Sequence, residues 1–432
     1  MADHEPETAV RRAPGVSRGA RVAGRPANGG RMVLVLLFAT IVADGYDTAS
    51  LSFVIPALST EWGLHPSGFT MPLVVTNIGA VIGYVCCPRL SARFGRSRVI
   101  WASVLVFSAG AVATVTATTV TTLGVIRFFT GLGLGTVLPS VVSLTADLVS
   151  PKRRDAATVL IVLGMAVGAV IGGVTGGSVI TGLGWRAVFW IPAALAGVLA
   201  VLLWWRLPRD DESGRRRTTT AVTVSALVGA GLRTRTALLW AFAFLVFVVS
   251  QTLNTWLPTL LGEYGFAPDR APLGTAAWGL GGIVGGAVLA GAATRFGTPH
   301  VLVVMCGLAT TFLVLVAVAS LAAGGLLLVL GLAGAGVAAG PAGQSALAIG
   351  MYDRAVRTAG IAWAVALGRI GSIVGPAVGG LLLSLGSSGR MILLLAAGPM
   401  LLAGVIVVLL APVVRIGGIQ DALPDTATLS RS

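Results

Sequence analysis

FVIPALSTEWGL at 53–64 and TWLPTLLGEYGF at 255–266 are two copies of one segment. Pro56 aligns with Pro258, Glu61 with Glu263, Trp62 with Tyr264 and Gly63 with Gly265, at an offset of 202 residues (258 against 56). The same offset sets Arg93-Phe94-Gly95 against Arg295-Phe296-Gly297, Gly79 and Gly83 against Gly281 and Gly285, and Pro139 against Pro341. Identity held at one offset over three pairs of apolar runs marks a duplication. The chain reads as two halves in the same orientation.

Each copy ends a long apolar run, and such runs fill the sequence. The 432 residues are 55% hydrophobic and 11% charged, with a mean hydropathy of +0.91. Soluble domains carry about 25% charged residues, so this chain cannot cover a water-facing surface. Runs near the ~20 residues that cross ~30 Å of hydrocarbon fall at 32–58, 70–88, 99–117, 121–148, 156–180, 187–206, 237–260, 272–292, 299–321, 324–349, 357–382 and 389–412. The expected fold is an all-α membrane protein, with twelve transmembrane helices in two parallel six-helix repeats and a site at their interface near mid-membrane. The halves span 32–206 and 237–412. A basic tail at 1–31, a linker at 207–236 and a tail at 413–432 flank them. The first tail, polar and rich in Arg, Pro and Gly, reads as disordered. In the linker, Val224, Leu227, Val228 and Leu232 share a helical face between basic clusters. They suit either a helix lying on the membrane surface or a plain tether.

The net charge of +14 does not point to nucleic acid, because of where it sits. With the N-terminus inside, segments on the cytoplasmic side hold 25 of the 30 Lys and Arg, and segments outside hold Arg186, Arg270 and Arg390. This is the positive-inside asymmetry, and it expects both termini in the cytoplasm. One lysine against 29 arginines suggests a GC-rich, bacterial genome, hence an inner membrane. Cys86, Cys87 and Cys306 all lie in spans and give no disulfide framework. No nucleophile–base constellation, metal-ligand cluster or phosphate loop is present, so neither an enzyme nor a cofactor is expected.

Ionisable side chains at mid-bilayer cost ~2.5–3.5 kcal/mol even on the mild scale. Asp44 and Asp47 on the first span, Arg127 on the fourth and Arg369 on the eleventh each need a reason. Asp44 and Asp47 lie 12 and 15 residues past Met32, ~18–22 Å along a helix, and at i, i+3 they share a face. Two carboxylates this close resist ionising together, and one that keeps a proton is what proton symport requires. The plainer reading pairs one Asp with an Arg to hold the bundle together. Arg369 is at similar depth in the other half and has the planar fork that grips a carboxylate. An anion on Arg369 and a proton on Asp44 or Asp47 would bridge the halves. Arg127 either relays charge to the Asp pair, assists the anion, or is the structural partner of Asp47. Tyr46, Trp278 and Trp363 are candidates to line an aromatic pocket, against the ordinary packing role of such rings. Gly164, Gly168, Gly172 and Gly176, and likewise Gly368, Gly371, Gly375 and Gly379, form small-residue seams. The seams serve static packing, or a surface on which the halves rock.

Four stretches resemble the major facilitator superfamily and, within it, the aromatic acid:proton symporters. They are DGYDTASLSFVIPAL (44–58), SARFGRSRV (91–99), RFFTGLGLGTVLPS (127–140) with SPKRR (150–154), and RTAGIAWAVALGRIGSIVGPAVGG (357–380). The resemblance implies uptake of a benzoate-like or phenolic acid with a proton, and the chain is expected to work in the bilayer as a monomer. The resemblance also implies importance for Asp44, Asp47, Arg127, Arg357 and Arg369. Arg357 reads as a gate at the cytoplasmic mouth, together with Arg93, Gly95, Arg96 and Asp147. Helix 5 lacks the Gly-Pro typical of drug/proton antiporters, which weakens an exporter reading. One departure concerns the gate. Ala92 stands where the family has Asp, Pro88 where Gly is usual, and the mirror position is Thr294. Asp147 is then expected to pair with Arg93 or Arg96. The expected function is proton-coupled import of an aromatic carboxylate. The rivals are transport of another organic anion, nicotinate-like or non-aromatic, export, and a non-transporting membrane sensor of the acid.

Overall fold

A computed structural model describes residues 27–150, 153–207 and 232–422. The expected linker helix face at Val224, Leu227 and Val228, most of the first tail and Lys152 lie outside the described residues. The first half contains α1 (Ala27–Trp62), α2 (Thr70–Phe94), α3 (Arg96–Thr114), α4 (Val120–Leu148), α5 (Arg154–Leu183) and α6 (Ala187–Arg206). The second contains α7 (Arg233–Glu263), α8 (Leu273–Phe296), α9 (Thr298–Val318), α10 (Ala323–Met351), α11 (Arg354–Ser384) and α12 (Gly389–Ala422). One 3-10 turn, Pro66–Phe69, precedes α2, and there is no strand among the described residues. Among the described residues twelve helices are long and apolar enough to cross a membrane, so the chain is a multi-pass membrane protein. α12 continues past the span expected to end at 412, into what the sequence suggested was tail.

The duplication is written into the turns. Among the described residues six glycines have positive φ: Gly63, Gly95, Gly184, Gly265, Gly297 and Gly386. They form three pairs at the 202-residue offset. Gly95 (φ 89°) lets α2 reverse into α3, and Gly297 (φ 80°) does the same between α8 and α9. A side chain in that backbone region is strained.

Packing within each half depends on missing Cβ atoms. A Cβ on Gly79 would meet the carbonyl oxygen of Phe128, and one on Gly83 that of Leu132, so α2 and α4 lie backbone to backbone. In the second half Gly281 and Gly285 bring α8 against Gly331 and Ala335 of α10 in the same way. Without a hydrophobic drive between helices in lipid, close approach of this kind supplies the association. The seam on α5 also packs within its half: Gly164, Gly168 and Gly172 face Ile41, Val42 and Tyr46 of α1. The seam on α11 faces Phe247, Phe244 and Trp256 of α7. Both seams therefore pack helices of the same half against each other.

The halves meet through other glycines. Gly173 of α5 abuts Pro272 and Ala276, Gly177 abuts the backbone of Asp269, and Gly380 of α11 abuts Thr70 of α2. All these contacts lie at the end of the bundle remote from the termini. At that end Glu61 accepts hydrogen bonds from Trp185 Nε1 (2.6 Å) and Arg186 Nη2 (3.0 Å). Its repeat mate Glu263 accepts from the Gly389 amide (2.6 Å) at the start of α12. Each carboxylate ties the first helix of its half to the sixth.

Candidate functional site

A cavity of about 350 Å³ lies between the halves at mid-bundle. It is lined from α1, α2, α4 and α5 on one side and from α7, α8, α10 and α11 on the other. That size is within the range of small-molecule pockets. Asp44 and Thr48 of α1 face Arg369 and Ser372 of α11 across it. Tyr84, Phe247 and Trp278 supply aromatic walls.

Arg369 stands over the ring of Tyr84, its guanidinium carbon 4.6 Å from the ring centroid. This is a cation–π contact between the halves. Its Nε is buried without a hydrogen-bond partner. A guanidinium has five donors in a rigid fork, so Arg369 presents unused donor capacity at the cavity. Among the described residues it makes no ion pair.

The two aspartates have different partners. Asp47 is 1% exposed and bonds Arg127 of α4, Nη1 to Oδ2 3.1 Å and Nη1 to Oδ1 3.4 Å. Arg127 is equally buried; Nη2 also reaches the Asp47 carbonyl at 3.5 Å, and Nε is unpaired. Asp44, 2% exposed, lines the cavity. It accepts one hydrogen bond, from Thr48 Oγ1 at 3.3 Å, and no cation pairs with it among the described residues. One turn of helix thus separates a carboxylate in a direct ion pair from one that makes none among the described residues. The geometry thus pairs Arg127 with Asp47, the carboxylate that lies outside the cavity lining.

Trp278 reaches the cavity. Two other aromatic candidates do not line it. Tyr46 turns toward α5, edge-on to Phe53 (6.1 Å) and against Gly172, because the missing Cβ there leaves room for its ring. Trp363 stacks on Trp240 of α7 (5.9 Å) instead. Sequence reasoning missed Tyr84, Phe247, Asn77, Gln251 and Asn254. The three amides carried a usable signal, since a mid-span Asn or Gln needs a partner in lipid. Tyr84 and Phe247 carried none that separates them from packing aromatics. Asn77 gives Nδ2 to the Leu73 carbonyl (3.0 Å) and accepts weakly from Gln251 Nε2 across the halves (3.5 Å). Asn254, one turn from Gln251, makes no side-chain hydrogen bond to another described residue.

The expected gate residues lie at the end of the bundle where α1 begins, in two separate groups. Arg96 at the start of α3 forms an ion pair with Asp147 at the end of α4, the contact that Ala92 left to it. Arg93 lies over the Phe94 ring (5.3 Å), and Gly95 makes the turn between them and α3. Arg357 donates Nε to the Tyr352 carbonyl (3.1 Å), and the Tyr352 hydroxyl bonds Thr236 (2.9 Å). No group of three or more potential metal ligands occurs among the described residues.

Residues 37–331 match the family model of the Major Facilitator Superfamily. The chain is 29% identical to a gallate transporter of Pseudomonas putida, covering 82% of this chain and 86% of that one. It is 31% identical to a gentisate transporter of Corynebacterium glutamicum (83% and 82%). It is 29% identical to the 4-hydroxybenzoate transporter PcaK of Pseudomonas aeruginosa (87% and 91%). Among solved structures, the nucleoside transporter NupG superposes with a TM-score of 0.73 at 14% identity, over 89% of this chain and 99% of that one. An inward-open structure of the xylose transporter XylE from E. coli gives 0.68 at 15% identity, over 88% and 95%. At such identities these structures speak for the fold alone.

Proposed function

Because the chain belongs to the Major Facilitator Superfamily, a family of transporters rather than enzymes, we propose that it imports an aromatic carboxylate together with a proton by alternating access. The observation that carries the reading is the unpaired guanidinium edge of Arg369 in a cavity walled by Tyr84, Phe247 and Trp278, with Asp44 on the opposite half. The printed substrates of the relatives, gallate, gentisate and 4-hydroxybenzoate, are carboxylates on an aromatic ring. They are what such a cavity suits.

The chemistry follows from the partners. Arg369 takes the carboxylate through its fork. The ring lies among the aromatic walls. The amides of Gln251 and Asn254, able to donate and to accept, suit polar substituents on the ring. Asp47 is occupied by Arg127, so Asp44 is the residue that carries the proton. An anion on one half and a proton on the other cancel charge only when both are bound, and this favours moving them together. Both termini lie in the cytoplasm of a bacterial cell, by the arginine distribution. In that orientation the glycine contacts at Gly173, Gly177 and Gly380 close the outer side, and the cavity belongs to an inward-facing state.

The test is uptake of labelled aromatic acids into proteoliposomes, with and without an imposed proton gradient. Accumulation above equilibrium, driven by the gradient and lost with an uncoupler, is the expected result. Binding without accumulation would make the protein a sensor, and accumulation of non-aromatic anions alone would reassign the substrate.

A further inference from the structure

Two grooves on the flanks of the bundle, one per half, share no lining residue with the central cavity. The first, about 840 Å³, is lined by Cys86, Leu90, Phe94, Arg98, Ala102 and Val106 of the α2–α3 hairpin, among others. The second, about 720 Å³, is lined by Val288, Ala292, Phe296, His300, Val304 and Leu308 of the α8–α9 hairpin. Each of these residues in the second groove is the mate, 202 positions on, of its counterpart in the first (288 against 86, 308 against 106). The repeat has therefore preserved a shape, and the sequence inside it has diverged.

What has not diverged is the chemistry. Both grooves are apolar along their length, and both carry a basic side chain at the end nearest the hairpin turn, Arg98 in one and His300 in the other. Arg295 lines the second groove and lies over the Phe296 ring (5.4 Å), as its mate Arg93 lies over Phe94 (5.3 Å). Phe94 and Phe296 are exposed on the flank. From Arg98 to Val106 the groove climbs ~12 Å into the bilayer at 1.5 Å per residue. The first groove gains a side wall from Phe129 of α4 and from Trp204 of α6, whose ring meets Trp101 at 4.7 Å. A purely apolar flank would accept any lipid tail. A guanidinium at the mouth, Arg98 in the first groove and Arg295 in the second, at headgroup depth on the side of the termini, adds charge complementarity to a phosphate-bearing headgroup of net negative charge.

We propose that each hairpin groove is a binding site for an anionic phospholipid of the leaflet on the termini side. An acyl chain lies along the groove, and the headgroup phosphate meets Arg98 in the first half and His300 with Arg295 in the second. Because the α2–α3 turn also carries Arg96, paired to Asp147, a lipid seated there touches the hairpin that the Ala92 replacement leaves short of an acid.

The first groove contains its own reporter, the Trp101–Trp204 pair. Full-length protein in detergent micelles is titrated with brominated-chain phosphatidylglycerol or brominated-chain phosphatidylcholine. The quenching lost in a Trp101→Phe/Trp204→Phe variant isolates the groove. The expected result is an about fivefold preference for phosphatidylglycerol, the factor for one basic side chain at an anionic surface. The preference should disappear in Arg98→Gln and persist in Arg98→Lys. A Val304→Trp reporter in the Trp101→Phe/Trp204→Phe background gives the same test for the second groove, with Arg295→Gln/His300→Gln as its control. Circular dichroism checks that each variant is folded. Equal quenching by both lipids in the native groove, or a preference untouched by Arg98→Gln, would overturn the proposal.

Discussion

Arg127 of α4 and Asp47 of α1 form an ion pair with 1% of each side chain exposed and 3.1 Å between Nη1 and Oδ2. This pair joins two helices of the first half at a depth where neither charge can reach water. Breaking a buried pair from one side leaves an uncompensated charge and costs about 3–5 kcal/mol, whereas replacing both partners by apolar groups is often neutral. Asp47→Asn and Arg127→Gln are each expected to lower the thermal midpoint of the purified protein sharply. Asp47→Leu combined with Arg127→Met should recover most of the loss. A double variant less stable than either single one would mean that the pair is not the stabilising unit.

Asp44, by contrast, makes no ion pair among the described residues, and Arg369 faces it only across the open cavity. Asp44→Asn is expected to keep the thermal midpoint near that of the native protein and to abolish accumulation against a gradient. Exchange of labelled for unlabelled substrate should continue, because that exchange needs no net proton movement. Gradient-driven accumulation at the native rate by Asp44→Asn would remove Asp44 from the proton path.

Arg369 presents an unpaired Nε and a ring contact to Tyr84. Lys keeps the charge and loses the fork. Losing one partner of a buried charge-assisted pair costs ~2–5 kcal/mol, about 30-fold or more in affinity. Arg369→Lys should bind the acid much more weakly and Arg369→Gln hardly at all, while the amide analogue of the acid should gain nothing from the native Arg. Calorimetric titration of protein in nanodiscs reads this directly. Native affinity in Arg369→Gln would move the carboxylate elsewhere.

Gln251 and Asn254 bring amides to the cavity with little protein bonding of their own. A site that hydrogen-bonds a ring hydroxyl rejects the ligand lacking it far more strongly than an apolar pocket does. Replacing both by Leu is expected to lower affinity for hydroxybenzoates while sparing benzoate. The ratio of the two dissociation constants is the readout, and an unchanged ratio would take these amides out of substrate recognition.

Gly177 separates contacts between halves from contacts within one. A Cβ there would meet the Asp269 backbone of the other half, while one on Gly135 would meet the Ala80 backbone of its own half. Gly177→Val should shift the population toward the state open on the outer side, seen as faster labelling of cysteines placed in the cavity from that side. Gly135→Val should instead lower stability by about 1–3 kcal/mol through overpacking. If Gly177→Val only destabilises, the contact is part of the fold and not of the gate.

The fold was legible because its causes are one-dimensional. Run length against bilayer thickness and the 202-residue offset at Pro56/Pro258 and Gly95/Gly297 survive without knowing which way any side chain points. The depth of Asp44, Asp47, Arg127 and Arg369 was legible for the same reason, since depth is residue count times rise. Azimuth was not. In a membrane bundle the lipid face and the core face are both apolar, so hydrophobic periodicity no longer says which side of a helix is inside. Tyr46 and Tyr84 are both aromatic residues in apolar spans, and only helix packing sends one against Gly172 and the other under Arg369. Asp44 and Asp47 look alike on paper. The rotation of α1 against α4 gives Asp47 its guanidinium and leaves Asp44 to the cavity, because a counter-ion depends on a neighbour 80 residues away and not on the helix that carries the acid.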